Sequence, residues 1–237
     1  MLGIIGGMGP GASALFYDMI RSKTDAGCDQ ENLDLILLSH ASIPDRTEAI
    51  LSKDESRIRA LRDKLLADAI FLQNAGCTAI AVTCNTAHCF VNMIEHEVEI
   101  PFIHMIRETA EVMASEFSGK RVAILATDGT IETKLYQDEL SKQGVIAIIP
   151  SEEIQTLIMS EIYGYIKSGK PADEKTWMKI EEYIKAQGYE AAVLACTELS
   201  VVRRELSLGS FYFDPMEIMA ERCLDFYEKR GEVKKRG

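Results

Sequence analysis

The chain repeats part of its own pattern, and this repeat restricts its possible folds more than any other feature. Segment 3–20 aligns with 123–140 at an offset of 120 residues, and 74–87 aligns with 186–199 at an offset of 112. Each aligned pair has the same order of an apolar run, a turn and an amphipathic stretch. We therefore expect two similar halves that arose by duplication, with a longer intervening segment in the first half.

The first aligned pair places glycines and aromatic residues in equivalent positions. Gly9 matches Gly129, and Phe16 matches Tyr136. Glycine permits close approach of the backbone at a tight turn. The glycine spacing at the N-terminus differs from the dinucleotide-binding fingerprint. No nucleotide cofactor is therefore expected at this turn.

Short apolar runs alternate with longer stretches of helical periodicity along both halves. The predicted strands cover 2–7, 33–39, 78–84, 100–105, 121–126, 145–149 and 191–196. The predicted helices cover 11–24, 56–76, 86–98, 131–143, 152–168 and 173–187, and 40–50 is interpreted as a polar loop. Near-continuous apolar strands separated by helices indicate parallel sheets that are covered on both faces. The predicted fold class is therefore α/β.

The charge and hydropathy of the chain limit its partners. The 37 acidic residues outnumber the 26 Lys and Arg residues, for a net charge of −11. This charge disfavours nucleic acid and anionic membranes, and an anionic substrate would need a local group of basic residues. No apolar run approaches the roughly 20 residues that span a bilayer. The N-terminus lacks the pattern of a signal peptide, so we expect a cytoplasmic protein.

The six cysteines have spacings that match no zinc or redox motif. They are Cys28, Cys77, Cys84, Cys89, Cys196 and Cys223. In a cytoplasmic chain they are expected to be reduced thiols. No metal site is predicted.

Two of these thiols, Cys84 and Cys196, occupy equivalent positions of the repeat, each at the end of a predicted strand. Taken alone, each is a candidate for a small buried apolar residue. Ligands of open α/β sheets bind at the carboxyl ends of the strands, so two facing halves would bring both thiols to one cleft. Thiols on opposite faces of a bound carbon suit proton exchange at a stereocentre, in which one removes a proton and the other donates one.

Both cysteines precede a predicted helix start, whose backbone N–H groups would favour a thiolate or hold a substrate carboxylate. His88 is close to Cys84 in the sequence, which would allow a Cys-His hydrolase. On the following helix it is more readily interpreted as a capping or packing residue. Proton exchange is therefore favoured over hydrolysis.

Six short motifs along the chain carry a resemblance to a known family. They are GGMGP at 6–10, IPDRT at 43–47, CNTAH at 84–88, ATDGT at 126–130, CTE at 196–198 and DPM at 214–216. Together, and in this order, they resemble the aspartate/glutamate racemase superfamily, with its aspartate racemase branch nearest. In the glutamate branch a His follows the second Cys-Thr pair, where this chain has Glu198.

The resemblance implies an amino-acid racemase that uses no cofactor and forms a homodimer. It implies two Rossmann-like (flavodoxin-like) domains with the active site between them. The first would comprise 1–103 completed by 214–237, and the second 104–213.

The resemblance also implies roles for particular residues. Cys84 and Cys196 would be the acid/base pair, and Arg46 and Lys167 would bind substrate carboxylates. The α-carboxylate and ammonium region would be lined by Met8, Asn85, Thr86, Thr127 and Thr197. Glu198 would be either a first-turn helix residue stabilised by the helix dipole or an acid that supports the site.

Several functions remain open at this point. Aspartate is the first candidate substrate, but aspartate and glutamate differ by one methylene, which is worth only about 1–3 kcal/mol of discrimination. A glutamate or broad-specificity racemase, a hydantoin racemase, and a dicarboxylate isomerase or decarboxylase are alternatives within the superfamily. An amino-acid-binding protein without catalytic activity is the alternative from another class.

Overall fold

The computed structural model describes residues 1–236, and Gly237 at the end of the expected first domain lies outside them. Strands β1 to β8 are Leu2–Gly6, Leu35–Ser39, Ala79–Val82, Phe102–Ile103, Arg121–Ala126, Ile146–Ile148, Ala191–Ala195 and Tyr212–Phe213. Helices α1 to α11 are Pro10–Lys23, Arg46–Ser52, Glu55–Asn74, His88–Ile94, Met105–Phe117, Asp128–Glu132, Leu135–Lys142, Glu152–Met159, Glu174–Ala186, Thr197–Glu205 and Pro215–Glu228.

The strands form two four-stranded parallel sheets with the same topology. Their orders are β2-β1-β3-β4 and β6-β5-β7-β8. Leu2 pairs with Ala79 in the first sheet, and Val122 pairs with Ala191 in the second. These two pairs are related by the offsets of 120 and 112 residues that align the sequence segments. The α/β fold class with parallel sheets is therefore confirmed, and the repeat extends to the register of the strands.

Each sheet has an apolar cluster on both faces because successive side chains of a strand point to opposite sides. In β1, Ile4 packs in a cluster with Phe16 and Tyr227, whereas Ile5 packs in the cluster that contains Leu65. All five residues of β1 and of β7 are buried. This arrangement explains why the strands read as continuous apolar runs.

The C-terminal helix α11 packs against the first sheet although it follows the second in the sequence. Its residues Met216, Ala220 and Leu224 belong to the same apolar cluster as Leu2 and Ile4. Helix α5, by contrast, contributes Ile106 and Met113 to a cluster with strands β5 and β7. We propose on this basis that the first domain is 1–103 completed by the C-terminal helix, and that 104–213 forms the second.

Several predicted elements differ from the structure. The polar loop at 40–50 contains the start of α2, because the Asp45 carboxylate accepts the backbone N–H of Glu48 as an N-cap does. The helix predicted at 131–143 is divided at Lys134, whose φ of 54° is left-handed. The helix predicted at 152–168 changes into a π-helical turn, Ser160–Tyr165, and a 3₁₀ turn, Ile166–Ser168. Helix α4 begins only at His88, two residues later than predicted.

The hydrophobic pattern of the helices is that of packed amphipathic elements. Within residues 1–236, no helix has both the length and the apolarity needed to cross a membrane.

Candidate active site

The two repeat cysteines lie at the carboxyl ends of equivalent strands and line one cavity. Cys84 is the second residue after β3, and Cys196 follows β7 directly as the N-cap of α10. The lining residues are Met8, Arg46, Thr47, Cys84, Asn85, Thr86, Thr127, Tyr163, Lys167, Cys196, Thr197 and Glu198. All ten residues that the sequence singled out therefore come together, and Thr47 and Tyr163 join them.

The cavity is closed in this conformation. Its volume is about 10 Å³, which holds one water molecule at most and leaves no room for an amino acid. An open cleft of about 1100 Å³ lies beside it. Met8, Arg46, Lys167 and Glu198 line both spaces and so separate them. A ligand can pass from the cleft into the cavity only if some of these side chains move.

Cys196 is held as a thiol. Its side chain is 5% exposed, and its Sγ donates a hydrogen bond of 3.0 Å to Glu198 Oε2. Burial and the neighbouring Glu198 carboxylate raise the pKa of Cys196 well above its usual value, and the charge of Lys167 offsets this only in part. The arrangement therefore favours the protonated form of Cys196.

Lys167 lies on the irregular segment that follows helix α8. Its Nζ donates to Glu198 Oε1 at 2.6 Å and to the backbone oxygen of Met8 at 3.1 Å. Burial alone would lower the pKa of Lys167, but the Glu198 carboxylate and the nearby Cys196 and Cys84 outweigh burial and raise it. Lys167 is therefore a cation in the wall of the cavity, already paired with Glu198.

Arg46 is the first residue of α2 and is 7% exposed. Its Nη2 donates to the Met8 oxygen at 2.7 Å and its Nη1 to the Pro44 oxygen at 3.0 Å, whereas its buried Nε has no acceptor within residues 1–236. Burial alone would lower the pKa of Arg46, but the nearby Cys84 and Asp45 outweigh burial, so the net shift of the pKa is upward. Arg46 thus provides a cation beside Cys84.

His88 fixes the loop that carries Cys84. Its Nδ1–H donates to the Cys84 backbone oxygen at 2.8 Å, and the Met105 backbone N–H donates to Nε2 at 3.2 Å. Burial lowers the pKa of His88 to about 4, which agrees with a neutral ring that donates once and accepts once. The packing role expected for His88 is the one that the structure gives it.

Three threonine hydroxyl groups connect the two halves next to the cavity. Thr86 Oγ1 lies 3.0 Å from Thr127 Oγ1 and 2.8 Å from Thr130 Oγ1, and Thr127 caps helix α6 by accepting the Thr130 backbone N–H. Thr86 follows Cys84 in the first half, whereas Thr127 and Thr130 belong to the second. These contacts hold the ends of β3 and β5 together.

Known proteins resemble this chain along most of its length. Residues 5–223 match the family model described as Asp/Glu/Hydantoin racemase. The chain belongs to this racemase family. The broad specificity amino-acid racemase RacX of Bacillus subtilis is 24% identical over 232 residues, which cover 96% of this chain and 98% of RacX.

Solved structures of racemases share the fold of the chain. Picrophilus torridus aspartate racemase is 30% identical with a TM-score of 0.78, and the match covers 99% of this chain and 95% of that one. Francisella tularensis glutamate racemase, solved with D-glutamate, is 16% identical with a TM-score of 0.69. That match covers 98% of this chain and 82% of the glutamate racemase, and it shows a common fold.

Two residues that line this candidate site were not predicted from the sequence. Tyr163 donates to Asp45 Oδ2 at 3.0 Å, and its ring lies 5.6 Å from Lys167 Nζ. Tyr163 precedes Lys167 by four residues on a predicted helix, and residues at this spacing lie on one helix face. This spacing is the sequence feature that could have identified Tyr163. Thr47 stood in the IPDRT motif beside Arg46. Within residues 1–236, no group of three or more His, Cys, Asp or Glu side chains is arranged to hold a metal ion.

Proposed function

We propose that the protein racemises an acidic amino acid, aspartate first, by proton transfer between Cys84 and Cys196. The observation that carries this proposal is the pair of thiols, one from each repeat half, in the wall of one closed cavity. Because the thiols themselves take up and release the proton, the reaction needs no cofactor.

The surroundings of the two thiols support different starting roles. Arg46 places a positive charge beside Cys84, whereas the Cys196 thiol keeps its proton and donates a hydrogen bond to Glu198. In the first step, the Cys84 thiolate takes the α-proton, and the electron pair of the C–H bond moves into the substrate α-carboxylate. The Cys196 thiol then gives its proton to the opposite face of the carbon, which inverts the stereocentre and leaves Cys196 as the thiolate. The reverse direction exchanges these roles.

Two cations support an acidic substrate. Arg46 and Lys167 are the basic side chains that line the closed cavity in residues 1–236, and a dicarboxylate would pair with both. Aspartate is also the substrate in the name of the 30% identical Picrophilus torridus racemase. The match to RacX over 96% of the chain favours a second candidate, a racemase of broad specificity.

Exchange of the α-hydrogen in deuterated water tests the proposal. The wild-type protein should incorporate deuterium into L- and D-aspartate, and a panel of acidic and neutral amino acids defines the specificity. Cys84→Ser and Cys196→Ser should each reduce racemisation by about 10²–10⁴-fold, since each removes one acid/base group. Cys77→Ser is the matched control, because Cys77 is similarly buried but is not among the residues that line the cavity.

Other outcomes would identify other functions. Full racemase activity in either active-site variant would exclude the two-thiol mechanism. Tight binding of aspartate in calorimetry without deuterium incorporation would indicate a binding protein. A homodimer in the cytoplasm remains the expectation from the family resemblance, and light scattering of the purified protein tests the dimer.

A further inference from the structure

Asn85 has one satisfied and one unsatisfied end. It follows Cys84, is 2% exposed and lines the closed cavity. Its Oδ1 accepts a hydrogen bond of 2.5 Å from the Tyr136 hydroxyl group. Its Nδ2 is buried and has no acceptor within residues 1–236. A buried donor without a partner costs about 1–3 kcal/mol, so this amide group is arranged for an acceptor that the cavity receives.

The Tyr136 hydroxyl group donates to the amide oxygen of Asn85, and the amide nitrogen is the end left without a partner. An amide group can turn by 180° and exchange its oxygen and nitrogen, so its hydrogen-bond partner sets its orientation. Burial raises the pKa of Tyr136 well above its usual value, so the hydroxyl group keeps the proton that it donates.

The repeat shows that this hydroxyl group is specific to one half. Tyr136 and its equivalent Phe16 are both fully buried, but only Tyr136 carries a hydroxyl group. The residue equivalent to Asn85 is Thr197, whose own hydroxyl group donates to Glu198 at 3.3 Å. A threonine has no amide group that can be turned the wrong way. Of the two equivalent aromatic residues, Tyr136 carries a hydroxyl group, and that group contacts the rotatable amide of Asn85.

We propose that Tyr136 is a positioning residue that holds Asn85 with its Nδ2 directed at a carboxylate of the bound substrate. This inference rests on the proposed function, because it takes the acceptor to be the carboxylate of an acidic amino acid. Without Tyr136 the amide group samples both orientations, and only one of them binds. The apparent dissociation constant then rises by the inverse of the competent fraction, while the rate from the bound state is preserved.

The test separates binding from turnover. Tyr136→Phe should raise the KM for aspartate and the calorimetric Kd for succinate about two- to tenfold, since the neutral hydrogen bond that stabilises the competent amide orientation is worth about 0.5–1.5 kcal/mol. The kcat should stay within about threefold of wild type, since bound substrate selects the correct amide orientation. Succinate has no stereocentre and cannot be racemised, so its Kd reports the carboxylate site independently of racemisation.

Tyr227→Phe is the matched control. Tyr227 is also fully buried, and its hydroxyl group donates to the Met1 backbone oxygen at 2.8 Å, away from the cavity. Its loss should lower the thermal stability but leave the KM and the succinate Kd unchanged. An equal rise of the succinate Kd in Tyr227→Phe would mean that the effect of Tyr136→Phe is one of general stability.

A double variant shows whether Tyr136 acts through Asn85. In an Asn85→Ala background, Tyr136→Phe should add no further increase to the succinate Kd. An unchanged Kd in the single Tyr136→Phe variant, or the same increase in both backgrounds, would overturn the positioning role. If wild type binds succinate and Tyr136→Phe weakens it, but no substrate is racemised, the proposed function fails and the positioning role stands.

Discussion

Gly129 of the second half lies against Thr47 of the first, and replacing it tests whether this contact sets the site geometry. A Cβ atom at Gly129 would lie 2.7 Å from the Cα and 2.9 Å from the Oγ1 of Thr47. At the equivalent Gly9, the nearest atom is the mobile Oε1 of Glu198 at 3.0 Å. Of these two equivalent glycines, only Gly129 faces backbone that must itself move.

The size of the movement follows from the contact distance. Ordinary contacts to a Cβ atom begin at 3.4 Å, whereas the added Cβ would lie 2.7 Å from Thr47 Cα. Gly129→Ala must therefore push helix α2 away by about 0.7 Å. The resulting contact would still be shorter than the optimal carbon separation of about 3.5–4.0 Å. Such overpacking costs about 1–3 kcal/mol. The gain of about 0.5–1 kcal/mol from alanine in a helix offsets part of it. A loss of 1 kcal/mol lowers the Tm of a protein of this size by about 2–4 °C, so we expect the Tm of Gly129→Ala to fall by several degrees.

The effect on catalysis should exceed the effect on stability. Helix α2 begins at Arg46, so the displacement carries the guanidinium group away from Cys84. A misplacement of about 1 Å can cost about 10²-fold in rate, and we expect kcat/KM for aspartate to fall about tenfold to 10²-fold.

Steady-state racemisation and thermal unfolding of the same preparations check this prediction. Gly209→Ala is the control, since its added Cβ would have no neighbour within 4 Å. That variant should keep the wild-type kcat/KM. Wild-type activity in Gly129→Ala would refute the reasoning, because it would show that the halves separate without disturbing Arg46.

Three further substitutions give independent checks. Burial and the Glu198 carboxylate both raise the pKa of Cys196, and Glu198→Gln removes the second of these causes. The alkaline limb of the plot of exchange rate against pH should therefore move to lower pH. A shift to higher pH would contradict this. Burial raises the pKa of Glu161 from 4.5 to about 7, so the folded state binds the proton more tightly and wild-type stability falls as pH rises through that window. Glu161→Gln should remove up to about 3 kcal/mol of that fall, measured by urea unfolding at pH 5 and pH 8. Gly11→Ala, in the first turn of α1 with no atom within 4 Å of the new Cβ, should raise the free energy of unfolding by about 0.5–1 kcal/mol, and a lower Tm would contradict this.

The repeat and the strand ends were predictable because they depend on the spacing of neighbouring residues. Apolar runs that end in Cys84 and Cys196 indicated parallel strands whose carboxyl ends meet, and the structure places both thiols in one cavity. The helix at Arg46 was missed, since it is short and its first turn follows a proline in a polar segment. The division at Lys134 was missed because a left-handed residue other than glycine leaves little trace in the hydrophobic pattern.

The sequence alone determined that two similar α/β halves carry one thiol each at equivalent strand ends, because periodicity and turn chemistry are local properties. Only the tertiary structure decided how those residues are paired. Tyr136 meets Asn85 and Tyr163 meets Asp45 across separations of 51 and 118 residues, and Lys167 is paired with Glu198 at the boundary between cavity and cleft. Such contacts depend on how the two halves pack against each other, and packing at this distance is not encoded in the spacing of neighbours along the chain.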